Sequence, residues 1–484
     1  MASVLEGFQP ELLWKHFEEI SKIPRCSGDE KAVGDYILSV AKDLGLEAEQ
    51  DKVGNVVVRK PASAGKENAQ TVILQGHVDM VCEKNSDVQH DFTKDGIELQ
   101  VKDGWLMANG TTLGADNGVG VAAGLAVMED TSLVHGPLEF LFTIDEETGL
   151  TGAAYIQPGF LQGKTYLNLD SEDEGVFCIG CAGGADSIIT LPIKRQAAPD
   201  GDYFKVHVSG LRGGHSGIDI DQGRANALKV LARLLWEPDG NYDFSLAAFE
   251  GGNKRNAIAR EAYAEIIVPT NNVDAFKERV TKLADDIKFE FKTIEKDMDV
   301  TLSTMEGNPG DVFDAASQQL LLNSLYVLPH GVLAMSQDIP GLVETSNNVA
   351  TITCKDDGAV MQLSSRSSVK SALEAVRHKL KSFVELIGAQ IEQPEGYPSW
   401  TPNVESPLLK ILQGTHKEVF NKEAKVEAIH AGLECGIIGE KFPGMDMISF
   451  GPTIEHPHSP EERCNTATVE TFWKLLTAAL EKLS

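Results

Sequence analysis

The stretch that most restricts the fold is FLFTIDEETGL, Phe140 to Leu150: an apolar run, three consecutive carboxylates, then Thr-Gly. Phe140 to Ile144 has the length and the β-branched and aromatic content of a buried strand. Asp145, Glu146 and Glu147 therefore fall where that strand stops and a loop begins. Open α/β sheets place their chemistry at such strand ends. Adjacent residues leaving a strand point in different directions, so Glu146 and Glu147 suit different tasks, one on a metal and the other on a proton. Taken alone, the motif reads more readily as a solvated acidic turn, and other segments must supply the remaining ligands.

Three segments do so at the ends of elements. In TVILQGHVDM an apolar strand from Val72 to Leu74 runs into Gly76-His77-Val78-Asp79. Two residues apart, His77 and Asp79 lie on one side of an extended chain, where the carboxylate can orient a metal-binding imidazole. In LGADNGVGVAAGLAVMED the small residues from Gly118 to Met128 suit a tightly packed helix, with Asp116 just ahead of its start. A plain helix cap is the alternative for Asp116. Glycines 118, 120 and 124 have the spacing G-x-G-x-x-x-G, which does not fit a dinucleotide fingerprint. In KTYLNLD a strand from Tyr166 to Leu169 ends on Asp170. Far downstream, SFGPTIEHPHSPEER holds His456 and His458 among prolines, a pair poorly explained by core packing, which makes one of them a candidate ligand.

A chain of 484 residues is too long for one hydrophobic core and points to two or three domains. Residues 10 to 43 read as two helices broken by SKIPRCSGDE, with Ser27 as a cap for the second. From about residue 190 strand and helix units repeat, including strands near NNVATITCKDD and AVMQLSSRSS, which suggests a duplicated α+β module. The proline-rich QPEGYPSWTP reads as the linker back. The expected organisation is a discontinuous α/β domain, residues 1–190 and 395–484, with a mixed, mainly parallel sheet flanked by helices. An α+β lid of two similar subdomains, residues 191–394, is inserted into it.

The net charge of −29 opposes binding to nucleic acid and to anionic membranes. No apolar run reaches the roughly 18 residues of a membrane span, and the acidic N-terminal segment does not fit a signal peptide, so the expected location is cytoplasmic. Seven cysteines, an odd number spread over the chain, suggest no disulfide framework. Cys178 and Cys181 form a lone C-x-x-C with no second pair, so no zinc or redox role is expected there.

Taken together, GHVDM (76–80), GADNGVG (114–120), DEETG (145–149), NLDSE (168–172) and EHPHSPEE (455–462) resemble the two-zinc metallopeptidases of the aminoacylase and carboxypeptidase clan. In chain order and spacing they are most similar to the bacterial Xaa-His dipeptidases, the aminoacyl-histidine or carnosinase-like enzymes, and the resemblance covers nearly the whole chain. It implies two divalent metal ions, zinc with cobalt or manganese as substitutes. His77 and Asp170 would hold one ion, Glu147 and His458 the other, and Asp116 would bridge them, leaving room for a water or hydroxide between. Asp79 would hold His77, and Glu146 would act as general base. In relatives of this kind the Asp116–Asn117 peptide is cis.

The middle region extends the resemblance. GLRGGHSG (210–217) is similar to the segment whose histidine, here His215, donates to the oxyanion. GGNKRNAIAR (251–260) implies substrate contacts by Asn256 and Arg260. VETSNN (343–348) and SSRSS (364–368) imply Asn347 and Arg366, the arginine facing a substrate carboxylate. HAGLECG (430–436) implies His430 and Glu434 as lining residues. A lid of this size is expected to supply His215 within one polypeptide, whether or not the protein forms a homodimer.

The function implied is hydrolysis of small peptides, namely dipeptides with a free N-terminus and preferentially Xaa-His, β-alanyl-histidine included. Another amidohydrolase of the clan, such as an aminoacylase, tripeptidase or carboxypeptidase, would carry the same catalytic residues. A non-catalytic binding module is disfavoured because Glu146 and all five ligands are present. A serine hydrolase is disfavoured because no G-x-S-x-G occurs.

Overall fold

A computed structural model describes residues 4–237, 240, 242–307, 309–355 and 358–484 of the chain. The chain divides into two compact units: residues 1–180, 400–428 and 433–484 form the first, and residues 181–399 and 429–432 the second.

The first unit is built on an eight-stranded mixed sheet. Its centre is parallel: Leu138–Thr143 pairs with Val72–His77, which pairs with Thr165–Asn168, which pairs with Asp446–Ser449. Val56–Lys60 extends it antiparallel to Leu138–Thr143. Every residue of Val72–His77 and of Leu138–Thr143 is buried, as expected of central strands covered on both faces. One cover is the helix Ala115–Glu129, buried nearly all round, whose small residues allow close approach. At its start Asp116 and Asn117 depart from helical geometry, and the peptide between them is cis. The Asn117 amide nitrogen donates to the Leu169 carbonyl at 2.6 Å. A Cβ at Gly76 would stand 2.3 Å from Asn117 Oδ1, and one at Gly120 2.4 Å from it, so both glycines make room for this side chain. The expected hairpin forms from Leu99–Lys102 and Trp105–Ala108, which belong to a separate four-stranded sheet.

The helices Glu11–Ser21 and Lys31–Asp43 form as expected, but Ser27 caps neither. Its hydroxyl donates to Asp79 at 2.7 Å instead. The cysteine reading needs one correction, since Cys26 and Cys82 form a disulfide, while Cys178 and Cys181 are not disulfide-bonded. Their 56-residue separation hid the pair; the bridge between Cys26 and Met80 brings the two segments together.

The second unit begins with the strand Gly183–Pro192, so the boundary falls earlier in the chain than residue 191. That strand pairs with Gly358–Ser367 over ten residues, which draws it out of the first unit. The expected duplicated module is one continuous nine-stranded sheet, its halves joined where Ser245–Gly251 meets Val343–Cys354. Helices Ala227–Leu235, Val273–Phe291, Ala315–Val327 and Lys370–Ile387 contribute to one apolar core with its strands. In the last of these, Leu373, Val376, Leu380 and Val384 make the buried stripe at helical spacing. Asp356 and Asp357, at the end of the expected NNVATITCKDD strand, lie outside the described residues.

Candidate metal centre

Five ligand-type side chains converge at the carboxyl ends of the parallel strands of the first unit, in two groups of three that share Asp116. His77 Nε2, on the last residue of its strand, lies 3.1 Å from Asp116 Oδ1 and 3.3 Å from Asp170 Oδ1. His458 Nε2 lies 3.1 Å from Asp116 Oδ2 and 3.0 Å from Glu147 Oε2. Ligands bound at about 2.0–2.1 Å to a tetrahedral zinc stand about 3.3 Å from one another, so both spacings suit such an ion. Two of the oxygens, Asp170 Oδ1 and Glu147 Oε1, are buried without a hydrogen-bond partner, which otherwise incurs a desolvation cost. The donor set and the orphaned oxygens both fit a pair of divalent cations bridged by Asp116. His456, exposed and outside either group, is not among these ligands.

Electrostatics point the same way. Burial opposes an imidazolium at His77, but Asp170, Asp116 and Asp79 outweigh it and raise its pKa well above the usual value. His458 is pushed up to about 11 by its contacts with Asp116 and Glu147. Burial, with the crowding by Asp116 and Glu147, raises the Asp170 carboxyl to about 6 although His77 opposes it. Cations at this place would relieve that crowding.

Asp79 ties the strand ends together. Its Oδ1 stands 3.3 Å from His77 Nδ1 and accepts the Glu146 amide at 3.1 Å, while Oδ2 accepts the Glu147 amide at 3.2 Å. Burial alone would raise its carboxyl, yet His77, Ser27 and the Glu146 amide bring it down to about 2. One anion thus orients an imidazole and fixes the turn that carries both glutamates. Asp145 makes that turn: it sits in the left-handed region at φ 50°, its N–H donates to Glu30 at 3.1 Å, and its carboxylate accepts the Thr148 hydroxyl. Glu146 belongs to neither ligand group. Burial, with Asp170, Glu434 and Asp116 nearby, raises its carboxyl well above the ordinary value despite His77. Glu434, 1% exposed at the start of the helix Glu434–Lys441, accepts from Gln75 at 2.6 Å and Thr143 at 2.7 Å through Oε2. Its Oε1 has no hydrogen-bond partner, and burial lifts its pKa to about 7.

In the second unit His215, Arg366, Tyr397, His430 and Ser346 form a separate cluster. His215 Nδ1 accepts the amides of Gly217 at 3.2 Å and Ile218 at 3.1 Å, so the neutral ring carries its proton on Nε2. Burial and then Arg366 lower its pKa to about 4. Arg366 Nη1 donates to the Tyr397 hydroxyl at 2.7 Å, and His430 Nε2 lies 2.7 Å from the Ser346 hydroxyl. Asn256 and Arg260 are exposed on the neighbouring turn, where Asn256 accepts the Ser216 amide at 2.8 Å and Arg260 Nε donates to Leu211 at 3.1 Å. Asn347 is fully buried; it donates to Pro329 at 2.6 Å and accepts from Ser365 at 2.8 Å, so its amide serves the interior of the unit.

Residues 73–482 match the peptidase family M20/M25/M40. The chain is 42% identical over 482 residues to the "Cytosol non-specific dipeptidase" of Escherichia coli, covering 99% of each protein. Its fold matches the crystal structure of aminoacylhistidine dipeptidase from Vibrio alginolyticus with a TM-score of 0.91 at 41% identity, covering 99% of this chain and 98% of that one. Aminopeptidase PepT from Bacillus cereus, at 16% identity and a TM-score of 0.57, shares the fold. The chain belongs to this peptidase family.

Two further buried residues, without a motif of their own, shape the centre of this M20-family chain. Arg25, 2% exposed, donates to the carbonyls of Val78 at 3.0 Å, Asp79 at 3.1 Å and Gly114 at 2.6 Å. Glu462, also 2% exposed, accepts backbone amides from the segment that leads into Asp116. Their only signal in sequence is proximity to the GHVDM, GADNG and EHPHS motifs, because lone charged residues in loops read as surface.

Proposed function

We propose that the chain is a dinuclear metal-dependent dipeptidase acting on substrates with a free N-terminus, including Xaa-His dipeptides. The observation that carries the reading is the pair of three-ligand groups sharing Asp116, with Glu146 beside them and outside both. Zinc bound there would polarise the scissile carbonyl and acidify water. Glu146 accepts the proton of the attacking water on its carboxylate and delivers it to the departing amine nitrogen. Asp79 keeps the His77 ring and the Glu146 turn in place. Glu434, whose Oε1 is unpaired, supplies the anion for the substrate ammonium. His215, neutral with its proton on Nε2, is a donor for the carbonyl oxygen, and Arg366, held by Tyr397, takes the C-terminal carboxylate. The relatives are named as dipeptidases, which supports the size of the substrate, and the cytosol in the name of the Escherichia coli relative supports a cytoplasmic location.

A panel of Xaa-His and His-Xaa dipeptides, β-alanyl-histidine and N-acetyl amino acids, each with zinc, cobalt and manganese, tests the reading. Turnover of free dipeptides with little of the N-acetyl compounds is expected. Preference for N-acetyl amino acids would instead make the protein an aminoacylase.

A further inference from the structure

The carboxylate of Glu462 is bonded to four successive backbone amides. Oε2 accepts from Leu113 at 2.7 Å and Gly114 at 2.9 Å, and Oε1 accepts from Ala115 at 2.7 Å and Asp116 at 3.3 Å. The segment it grips leads into Asp116 and has irregular geometry: Gly114 has φ +69°, and Asp116 and Asn117 lie outside the helical region. Among the described residues no other acceptor meets these amides, so without Glu462 they would be buried donors lacking partners. On the other side of the same segment, Arg25 donates to the Gly114 carbonyl at 2.6 Å. A Cβ at Gly114 would stand 2.4 Å from that guanidinium.

Glu462 is also joined to His458 by a closed turn. Its own N–H donates to the Ser459 carbonyl at 3.0 Å, and the Ser459 hydroxyl donates to the His456 carbonyl at 2.9 Å. His458 itself has left-handed backbone at φ 61° within this turn, a conformation uncommon outside glycine. The carboxylate therefore couples the backbone of Asp116 to the turn that carries His458.

We propose that Glu462 is a positioning residue of the metal centre: it locks the segment of the bridging Asp116 to the turn of His458, so that the two present their side chains as one unit. It touches neither substrate nor metal and acts through backbone. The inference rests on the reading of the five side chains as a dinuclear site. It also makes an asymmetric claim. The Asp116–Glu147–His458 position draws two of its three ligands from segments that Glu462 joins, and the His77–Asp116–Asp170 position draws one.

The test is the dissociation constant of each of two zinc ions, measured by chelator competition on the full chain and its Glu462→Gln variant. Gln keeps the shape but replaces one acceptor oxygen with an NH2 that faces amide donors. Outer-shell residues of metal sites typically control affinity by about 10–100-fold, and a loss of that size is expected for one ion with a smaller loss for the other. Glu461→Gln, which removes the same charge from the exposed neighbour, is expected to leave both constants unchanged. Glu462→Asp keeps the charge but shortens the reach, and it is expected to weaken the same ion first; it decides the matter if the Gln variant does not fold. A Glu462→Gln protein with both constants within about twofold of wild type, even with a lowered melting temperature, would make the residue purely structural and overturn the proposal. A wild-type chain that binds no divalent ion overturns the functional reading and this one with it.

Discussion

The carboxylate centre of the first unit and the histidine-arginine cluster of the second are both buried and polar, yet they satisfy their groups in opposite ways. Around Asp116 the ligand side chains crowd one another, with Glu147 Oε1 lacking a hydrogen-bond partner, and support comes from behind, from Asp79, Arg25 and Glu462 on backbone groups. Around Arg366 the side chains pair with each other and with local amides, leaving His215 Nε2 as the donor with no firm acceptor. Divalent cations would complete the first arrangement. The second is closed largely by protein partners, although Arg366 Nε is buried without one.

Several substitutions probe that contrast, and the largest effect is expected at the shared ligand. Asp116→Ala removes one ligand from each group, and because a catalytic metal contributes several kcal/mol, kcat should fall by at least about a thousandfold together with metal content. Retained metal stoichiometry in that variant would separate Asp116 from the ligand set. Glu146→Gln is expected to lower kcat by about 10²–10⁴-fold while metal content stays at the wild-type value, since Glu146 belongs to neither group. Loss of metal in this variant would make it a ligand instead.

In the second unit, His215→Ala should lower kcat by about 10²–10³-fold with metal content unchanged, the scale of one lost oxyanion donor. A smaller effect is expected for Arg366→Ala: hydrogen bonds to charged groups contribute about 1.5–3 kcal/mol, or roughly 10–150-fold in kcat/KM for dipeptides. Dipeptide amides, lacking the carboxylate, should respond little; an equal loss on both would remove Arg366 from carboxylate recognition.

Acid stability should show the contrast with opposite signs. His215, His330 and His430, all in the second unit, are lowered by burial to about 4, about 4 and about 3 from 6.5. The unfolded chain therefore binds more protons than the folded one as pH falls through this window. Their contribution is intact above about pH 7 and is lost progressively as pH falls below 6.5 towards 4. In metal-stripped protein His458, raised to about 11, works the other way: its contribution is present below 6.5 and is lost as pH rises towards 11. Denaturant midpoints across pH, with and without chelator, would show these slopes, and a flat second-unit transition from pH 7 to 5 would contradict the assignment.

The ligand-bearing strand ends were legible because a central parallel strand is almost wholly apolar, so a His or Asp at its last residue stands out. Leu138–Thr143 followed by Ile144 and DEE, and Val72–His77 followed by Val-Asp, both have that form. Asp79 was legible as the partner of His77 but not as the acceptor of the Glu146 and Glu147 amides, since backbone bonds leave no mark in side-chain patterns. Glu462 and Arg25 were hidden for the same reason: each binds only backbone at the centre. VETSNN implied Asn347 as a substrate contact, but the strand Val343–Cys354 places its side chain inside the unit, which a pattern of polar residues does not reveal. The early boundary at residue 181 was missed because CAGGADSIITLP alternates like any strand, and only pairing with Gly358–Ser367 shows which sheet it joins.

The most direct test of the dinuclear centre is the number of divalent ions held per chain, measured by elemental analysis on active, dialysed protein. Two per chain is expected, with dipeptide hydrolysis rising and falling with their occupancy under chelation. Full activity on dipeptides with no divalent ion bound would contradict it.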